Sequence, residues 1–281
     1  MKPVPFILDN HIHLQPRGKG VEAIKIFHQA GGTHAILSHM PYDEIPIRAA
    51  GDFSRSYEIT TRMAERCNAE TPVKVFCTVG PYPVLILDLA KEHGLTKAEE
   101  MMMEGMDAAA RLVQEGKAIA IGEVGRPHFP VEQDIMDASN RILLHAMKLC
   151  GEVGCAIVIH AESATPESML DLAKIADKAS LDRGKVVKHY CTPLIKEEEN
   201  HGLVPSVLAS RSALKEALSK GKRFFLETDY MDDLTRPDGV LPINTVPKRV
   251  KGLASSGEDH EEAMWMVNKD LPERTYGIKI E

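Results

Sequence analysis

The sequence predicts an α/β protein with a (β/α)8 fold, the TIM barrel, in a single domain over residues 1–281. Eight short apolar runs recur along the chain, and each is followed by a longer helical or polar stretch, which is the alternation of a parallel α/β fold. The length of 281 residues is close to the roughly 250 residues typical of this barrel. The alternative is an open doubly wound sheet, but no glycine-rich dinucleotide fingerprint follows the first predicted strand.

The predicted strands are mostly continuous in Val, Ile, Ala and Phe, as expected where helices cover one face and the barrel interior the other. Lys188 is a charged exception within the sixth run. Segment 231–257, rich in Asp, Pro and Gly, is predicted to be a long loop after the last strand. The predicted strands span residues 6–14, 34–39, 74–80, 118–125, 156–161, 186–190, 203–209 and 223–230, and the predicted helices span 21–30, 55–69, 97–115, 132–151, 167–181, 212–220 and 258–268.

Composition excludes several classes of protein. The chain is 43% hydrophobic and 27% charged, which is typical of a globular protein and not of a disordered one. Its apolar runs are far shorter than the roughly 20 residues of a membrane span, and its first ten residues contain no signal-length apolar segment. We therefore expect no membrane partner and a cytoplasmic location. The five cysteines lack a CxxC spacing, which argues against a disulfide framework and a thiolate zinc site.

Charge bears on the possible partners. The chain has 41 acidic and 34 basic residues, a formal charge of −7, which is opposite to the footprint of a protein that holds nucleic acid by neutralising phosphates. We expect no stable nucleic-acid partner, and any anionic substrate needs a locally positive site. An oligomer is compatible with the sequence.

The first predicted strand contains a His-x-His pair. Because side chains alternate along a strand, His11 and His13 lie on the same side, about 7 Å apart along the chain. Both can therefore reach one metal ion. Taken alone the pair is weak evidence, since two histidines near a strand end are often hydrogen-bonded surface groups.

Four more metal-competent side chains lie where other predicted strands end: Glu123, His160, His189 and Asp229. Barrel active sites are built at the carboxyl ends of the strands, so these residues would converge on one mouth. Four imidazoles and two carboxylates suit two divalent ions, with Zn favoured among Zn, Mn, Mg, Co and Fe. The alternative for each is structural: Glu123 or Asp229 could cap the segment that follows, and His160 and His189 could be hydrogen-bonded histidines at the edge of the core.

This arrangement resembles the TatD-related metal-dependent hydrolases of the amidohydrolase superfamily. Glutamate on the fourth strand, where several relatives in the superfamily use a carbamylated lysine, favours the TatD branch over phosphotriesterase-like lactonases. The matching motifs run from end to end: His-x-His at 11–13, Gly-Glu-Val-Gly at 122–125, single histidines at 160 and 189, Glu-Thr-Asp at 227–229, and a closing segment at 268–277 similar to Asn-x-x-x-Phe-Gly.

The resemblance implies a role for each of the six residues. Glu123 would bridge two metal ions. His11, His13 and Asp229 would complete one site, and His160 and His189 would complete the other. Asp229 and Glu123 would then be the catalytic carboxylates, with Asp229 as the proton acceptor.

The sequence departs from the family among residues expected to touch substrate. Tyr82 stands where the family usually has a histidine, and Arg126-Pro127 replaces the usual Leu-Asp. Arg126 could grip a phosphate or carboxylate with two hydrogen bonds, although a solvated surface arginine is the alternative. His128 and His39 are the other candidate substrate contacts. The metal site is therefore predicted to be intact and the substrate pocket to be altered.

The resemblance implies a hydrolase in which a metal-activated hydroxide attacks a phosphoester, as in a phosphodiesterase or deoxyribonuclease, on a small-molecule or nucleic-acid substrate. One alternative is an amide, lactone or cyclic-amide hydrolase, because the same hydroxide attacks carbonyl carbon. A second alternative is a non-catalytic metal-binding barrel, which predicts missing ligands, whereas none is missing.

Overall fold

The computed structural model describes residues 6–236, 239–254 and 260–281. All strands are parallel and form one sheet in the order β8-β7-β6-β5-β4-β3-β2-β1-β9. The strands are β1 Leu8–His13, β2 His34–Ser38, β3 Lys74–Val79, β4 Ala120–Gly125, β5 Ala156–His160, β6 Val186–Cys191, β7 Val204–Leu208, β8 Phe225–Glu227 and β9 Tyr230–Met231.

A bend after β8 closes the sheet into a barrel. β8 pairs with β7, whereas β9, two residues further on, pairs with β1, with Tyr230 opposite Ile12. Between them Asp229 has a left-handed backbone (φ 49°), and its N–H donates to the carbonyl oxygen of His11 at 3.0 Å. β8 and β9 therefore act as one bent eighth strand, and the predicted (β/α)8 fold is confirmed.

Helices lie between the strands as predicted, with additions. The predicted helices at 21–30, 55–69, 97–115, 132–151, 167–181 and 212–220 each overlap a helix of the structure. The helices are α1 Val21–Ala30, α2 Gly51–Glu70, α3 Leu85–His93, α4 Leu95–Gln114, α5 Gln133–Val153, α6 Pro166–Lys178, α7 Glu197–Asn200, α8 Arg211–Lys220, α9 Thr245–Ala254, α10 Glu261–Trp265 and α11 Leu271–Tyr276, with a 3-10 turn at Arg183–Lys185 and a π-helical turn at Met266–Asp270.

The predicted loop at 231–257 is wrong. It contains Met231, the last residue of β9, and the ten-residue helix α9. The Asp, Pro and Gly residues that precede α9 favour a loop in sequence-based prediction. α9 is stable there because Val246 and Val250 are buried against the apolar cluster that covers β7 and β8. The predicted helix at 258–268 begins at residues outside the described part of the chain and continues as α10 and the π-helical turn.

The lower half of the barrel is filled with apolar side chains from the first residues of the strands, such as Leu8, Val204 and Phe225. The C-terminal segment seals this end: the ring of Tyr276 stacks on Phe225 with centroids 5.4 Å apart, and its hydroxyl donates to Asn10 Oδ1 at 3.0 Å. The opposite end of the barrel, at the carboxyl ends of the strands, is lined by polar residues. No helix among the described residues is long and apolar enough to cross a membrane.

Candidate metal centre

The structure brings all six predicted ligands together at the carboxyl ends of the strands. Their donor atoms form two groups, and within each group all donor atoms lie within 4.8 Å of one another. A further group combines His11 and His189 with Glu227. The first of the two main groups is His11, His13 and Asp229, and the second is Glu123, His160 and His189.

Glu123 lies between the two groups. Its Oε2 is 3.4 Å from His11 Nε2, 3.4 Å from His160 Nδ1 and 3.0 Å from His189 Nε2. This oxygen is buried and receives no hydrogen bond of good geometry. Burial raises the pKa of Glu123, but the charge of His189 and the neighbouring imidazoles outweigh it and hold the pKa well below its usual range. An ionised, buried and unsatisfied carboxylate oxygen is what a bound cation would satisfy.

The first group presents lone pairs to a common point. His13 Nδ1 is 3.0 Å from the carbonyl oxygen of Ser38, which can only accept, so Nδ1 carries the proton and Nε2 carries a lone pair. That Nε2 lies 3.1 Å from His11 Nε2 and 3.4 Å from Asp229 Oδ1. Ser38 Oγ lies 3.0 Å from His11 Nδ1 and so orients the second ring. Three donor atoms of types that bind divalent cations therefore lie within reach of one ion.

Two further side chains, His128 and Glu227, contact the second group from outside. His160 Nδ1 is 3.0 Å from His189 Nε2, and on its other edge His160 Nε2 is 2.8 Å from His128 Nδ1. His189 Nδ1 is 3.5 Å from Glu227 Oε1. Burial lowers the pKa of His189, but the carboxylates of Glu123 and Glu227 raise it to about 10. The two carboxylates thus favour a positive charge at His189. A bound cation would supply that charge in place of the second imidazole proton.

Close backbone approach between β4 and β5 sets the position of Glu123 relative to His160. Gly125 has φ 141°, and a Cβ there would overlap the carbonyl oxygen of His160. That same oxygen accepts a hydrogen bond from Arg126 N at 2.9 Å. Only glycine allows this contact, which explains the second glycine of the Gly-Glu-Val-Gly motif.

Asp9 holds the bend that carries Asp229. Its carboxylate accepts from Thr228 N at 3.0 Å, from Thr228 Oγ1 at 2.7 Å and from His11 N at 3.3 Å. Burial raises the pKa of Asp9 to about 8, although the hydrogen bonds from Thr228 oppose the rise. Asp9 therefore joins the ends of the first and eighth strands beside the three candidate ligands they carry, His11, His13 and Asp229.

Two of the predicted substrate contacts adjoin the cluster. The ring of Tyr82 packs edge-on against His160 with centroids 5.1 Å apart, and burial followed by the charges of Glu123 and Asp229 raises its pKa to about 12. His128 contacts His160 and lines a cavity of about 320 Å³, which we call the mouth cavity. Its lining comprises His128, His160, Ala161, Ser163, His189, Tyr190 and Asp229.

The structure does not bring Arg126 or His39 into the mouth cavity. Arg126 is 4% exposed, and its guanidinium donates to Asn140, Glu162 and Asp171. His39 is directed at α2, where Nδ1 is 2.8 Å from Thr60 Oγ1. It follows Ser38, whose side chain faces His11, and neighbouring side chains on a strand point to opposite faces. Substrate contact by Arg126 and His39 stays a prediction. The hydrogen bonds that both side chains make elsewhere do not favour it.

Sequence reasoning missed several residues of the site. Ser38 orients both imidazoles of the first group, and Tyr190 and Ser163 line the mouth cavity. Asp232 is buried, and its carboxylate accepts from Lys19 N and Gly20 N at 2.8 Å each, which holds the loop after β1. For Ser38 and Tyr190 the signal was position, since each lies at the end of a strand beside a histidine.

Comparisons with known proteins agree with this geometry. A family model described as TatD related DNase matches residues 8–277. A protein of Methanocaldococcus jannaschii, described as uncharacterized, is 39% identical over 284 residues, which cover 100% of this chain and 99% of that protein. The solved structure of the TatD homologue YJJV from Escherichia coli K12 has a TM-score of 0.67 at 18% identity, covering 98% of each chain. A phosphotriesterase homology protein from Escherichia coli, solved with phosphate in its active site, has a TM-score of 0.59 at 14% identity, covering 98% of this chain and 100% of that chain.

The two solved structures share the fold, and the family model spans nearly the whole chain together with every strand that carries a candidate ligand. The chain therefore belongs to the TatD-related DNase family of hydrolases.

Proposed function

We propose that this protein is a metal-dependent hydrolase that cleaves a phosphoester bond with two divalent cations, of which Zn²⁺ is favoured. The observation that carries the proposal is the pair of adjacent donor groups with the unsatisfied Glu123 Oε2 between them. His11, His13 and Asp229 would hold one cation, His160 and His189 the other, and Glu123 both. Imidazole-rich sites with carboxylates suit zinc.

Two such cations would lower the pKa of a water molecule and polarise the bond under attack. The residue we assign to proton transfer is Asp229, which lines the mouth cavity. Burial raises the pKa of Asp229, but the contact with His13 and the neighbouring imidazole charges lower it overall, so the carboxylate is ionised and can accept a proton. In the hydrolysis the water oxygen bonds to phosphorus, the bond from phosphorus to the leaving oxygen breaks, and the proton passes through Asp229 to that oxygen.

A phosphoester is supported by the description of the family and by the phosphate in the active site of the phosphotriesterase homology protein. Hydrolysis of an amide, lactone or cyclic amide is the alternative, because the same donor set can activate water against carbonyl carbon. A formal charge of −7 favours a small ester over a long polynucleotide.

The test is hydrolysis of methyl p-nitrophenyl phosphate by the zinc-reconstituted protein, with bound zinc counted by atomic emission. We expect two zinc ions per chain and turnover that falls at least about a hundredfold in Asp229→Asn. Asp88→Asn, which changes an exposed carboxylate on α3, is the matched control and should retain full activity. Two bound ions without turnover would move the assignment to carbonyl substrates, and a protein that binds no metal would refute it.

A further inference from the structure

We propose that the mouth cavity binds a small substrate with an aromatic group on the phosphorus, next to the bond that is hydrolysed. This inference rests on the proposed function and names its substrate class. It is carried by three features of the site: exposed aromatic rings in and beside the cavity, a small cavity volume, and three loop arginines that are each paired with a carboxylate.

The exposed rings are concentrated at the metal centre. In the part of the chain that the structure describes, the exposed large apolar side chains are Phe129 (40%), Tyr190 (50%) and Leu234 (61%). The ring of Phe129 packs edge-on against His128 with centroids 5.0 Å apart, and His128 packs in the same way against His160, also at 5.0 Å. Tyr190 directly follows His189 and lines the cavity wall. Two of the three exposed apolar side chains therefore lie one residue from a cavity-lining histidine.

Tyr190 has a strained backbone conformation that a hydrogen bond to Glu227 stabilises. Its φ is 50°, a left-handed conformation that a bulky residue rarely adopts, and its N–H donates to Glu227 Oε1 at 2.7 Å. An exposed aromatic ring in a strained position beside a metal site is an observation that points to ligand binding. The ring of Tyr82 also packs edge-on against His160, so a third aromatic ring adjoins the cluster. A planar group could stack or pack edge-on against these rings.

The size and charge of the site favour a small ligand. A cavity of about 320 Å³ is near the lower limit for small-molecule sites. A polynucleotide would also need free cations along the path of its phosphates. Of the basic residues on the loops at this end of the barrel, three arginines are each paired with a carboxylate and so are less available to phosphates: Arg17 with Glu44 at 2.9 Å, Arg126 with Glu162 at 3.1 Å and Arg236 with Asp233 at 3.0 Å.

The first test compares phenyl p-nitrophenyl phosphate with methyl p-nitrophenyl phosphate, using the zinc-reconstituted full chain. Both release the same p-nitrophenolate, so the ratio of their kcat/KM values, divided by the ratio of their uncatalysed hydrolysis rates, reports recognition of the group that stays on phosphorus. We expect the phenyl ester to be preferred by about tenfold, a typical value for one aromatic contact. A ratio near one after this correction, or a higher kcat/KM for a single-stranded oligonucleotide than for the phenyl ester, would overturn the inference.

Variants assign the preference to the rings. Tyr190→Asn removes the ring and places a residue that tolerates the left-handed backbone, and Phe129→Ser removes the second exposed ring. Each should reduce the preference to about threefold or less. Leu234→Ser is the matched control, because Leu234 is more exposed than either ring but carries no aromatic ring and does not line the mouth cavity, whereas Phe129 packs against the cavity-lining His128. It should leave the preference unchanged, and an equal loss in this control would contradict the assignment.

A binding measurement separates this inference from the proposed function. Phenylphosphonate and methylphosphonate share one anionic group, and their binding to the zinc-loaded protein can be compared by calorimetry without turnover. We expect the phenyl compound to bind about tenfold more tightly in the wild type and with little preference in Tyr190→Asn. This preference without any turnover of either diester would refute the phosphoesterase proposal and keep the aromatic subsite. Turnover with no preference in either assay would do the reverse.

Discussion

Glu227 offers a direct test of how the barrel tunes its candidate ligands. The residue is fully buried on β8. Its Oε1 accepts from Tyr190 N at 2.7 Å and lies 3.5 Å from His189 Nδ1, while Oε2 accepts from the hydroxyl of Ser206. The change Glu227→Gln preserves this shape. The new amide oxygen can face Tyr190 and His189, and the new NH₂ can donate to Ser206 Oγ, so the variant chiefly removes the negative charge.

The magnitude follows from the separate effects on metal binding and folding. Partners that orient a ligand histidine typically change metal affinity by 10- to 100-fold when they are replaced, which corresponds to about 1.4 to 2.7 kcal/mol. The folded protein without metal loses only the difference between a charged and a neutral hydrogen bond, about 1 kcal/mol. We therefore expect Glu227→Gln to weaken zinc binding at least about tenfold and to change the free energy of unfolding of the metal-free protein by about 1 kcal/mol.

The assay is zinc affinity by chelator competition, together with urea unfolding of the metal-free protein. Ser206→Ala removes one hydrogen bond to Glu227 but leaves its charge, and should keep the zinc affinity within about threefold. Glu197→Gln, at an exposed position on α7, controls for the change in net charge. Wild-type zinc affinity in Glu227→Gln would refute the assignment of Glu227 as the group that positions His189.

Two further predictions concern the scaffold. Gly125→Ala should lower the free energy of unfolding by at least about 2 kcal/mol in urea titrations, because the new Cβ would overlap the His160 carbonyl. Gly151→Ala, on α5 with open space around it, should instead stabilise by about 0.5 to 1 kcal/mol, and equal effects would contradict the close approach of β4 and β5. For His39, burial and then the charge of His13 lower the pKa from 6.5 to about 3, so the unfolded chain takes up a proton between these values and the native state does not. The free energy of unfolding should therefore fall by about 2 kcal/mol between pH 7.5 and pH 5 on account of this residue. His39→Asn should remove that part of the pH dependence, the exposed His28→Asn should not, and an unchanged slope in His39→Asn would disprove it.

The strand ends could be predicted from the sequence because the candidate ligands lie in or just after segments rich in apolar residues. Position along a strand determines which end of the barrel a residue reaches. That rule predicts Glu123, His160, His189 and Asp229, whereas the His-x-His spacing predicts His11 and His13. α9 could not be predicted in this way. Its apolar residues, Val246 and Val250, follow a segment of Asp, Pro and Gly, and what makes them helical is burial against a cluster formed by distant strands.

The direction of single side chains was harder to predict. His39 follows the second strand by one residue, and whether it faces the metal centre or α2 depends on where the alternation of that strand begins. Arg126 is three residues from Glu123, but its partners include Asp171 on α6, 45 residues away. A contact at this distance along the chain cannot be predicted from the local sequence pattern. Tertiary partners therefore decided the two candidate substrate contacts that lie outside the mouth cavity.

The bend in the eighth strand couples closure of the barrel to the metal centre. Thr228 and Asp229 both donate backbone N–H groups to the first strand, to Asp9 Oδ1 and to the His11 carbonyl respectively. The bend therefore brings the Asp229 carboxylate to His13 and at the same time allows β9 to pair with β1. Strand closure and the positions of three candidate ligands depend on one set of hydrogen bonds. A cation held by His11, His13 and Asp229 would cross-link the first and last strands where the barrel closes, and so would stabilise the fold as well as the site.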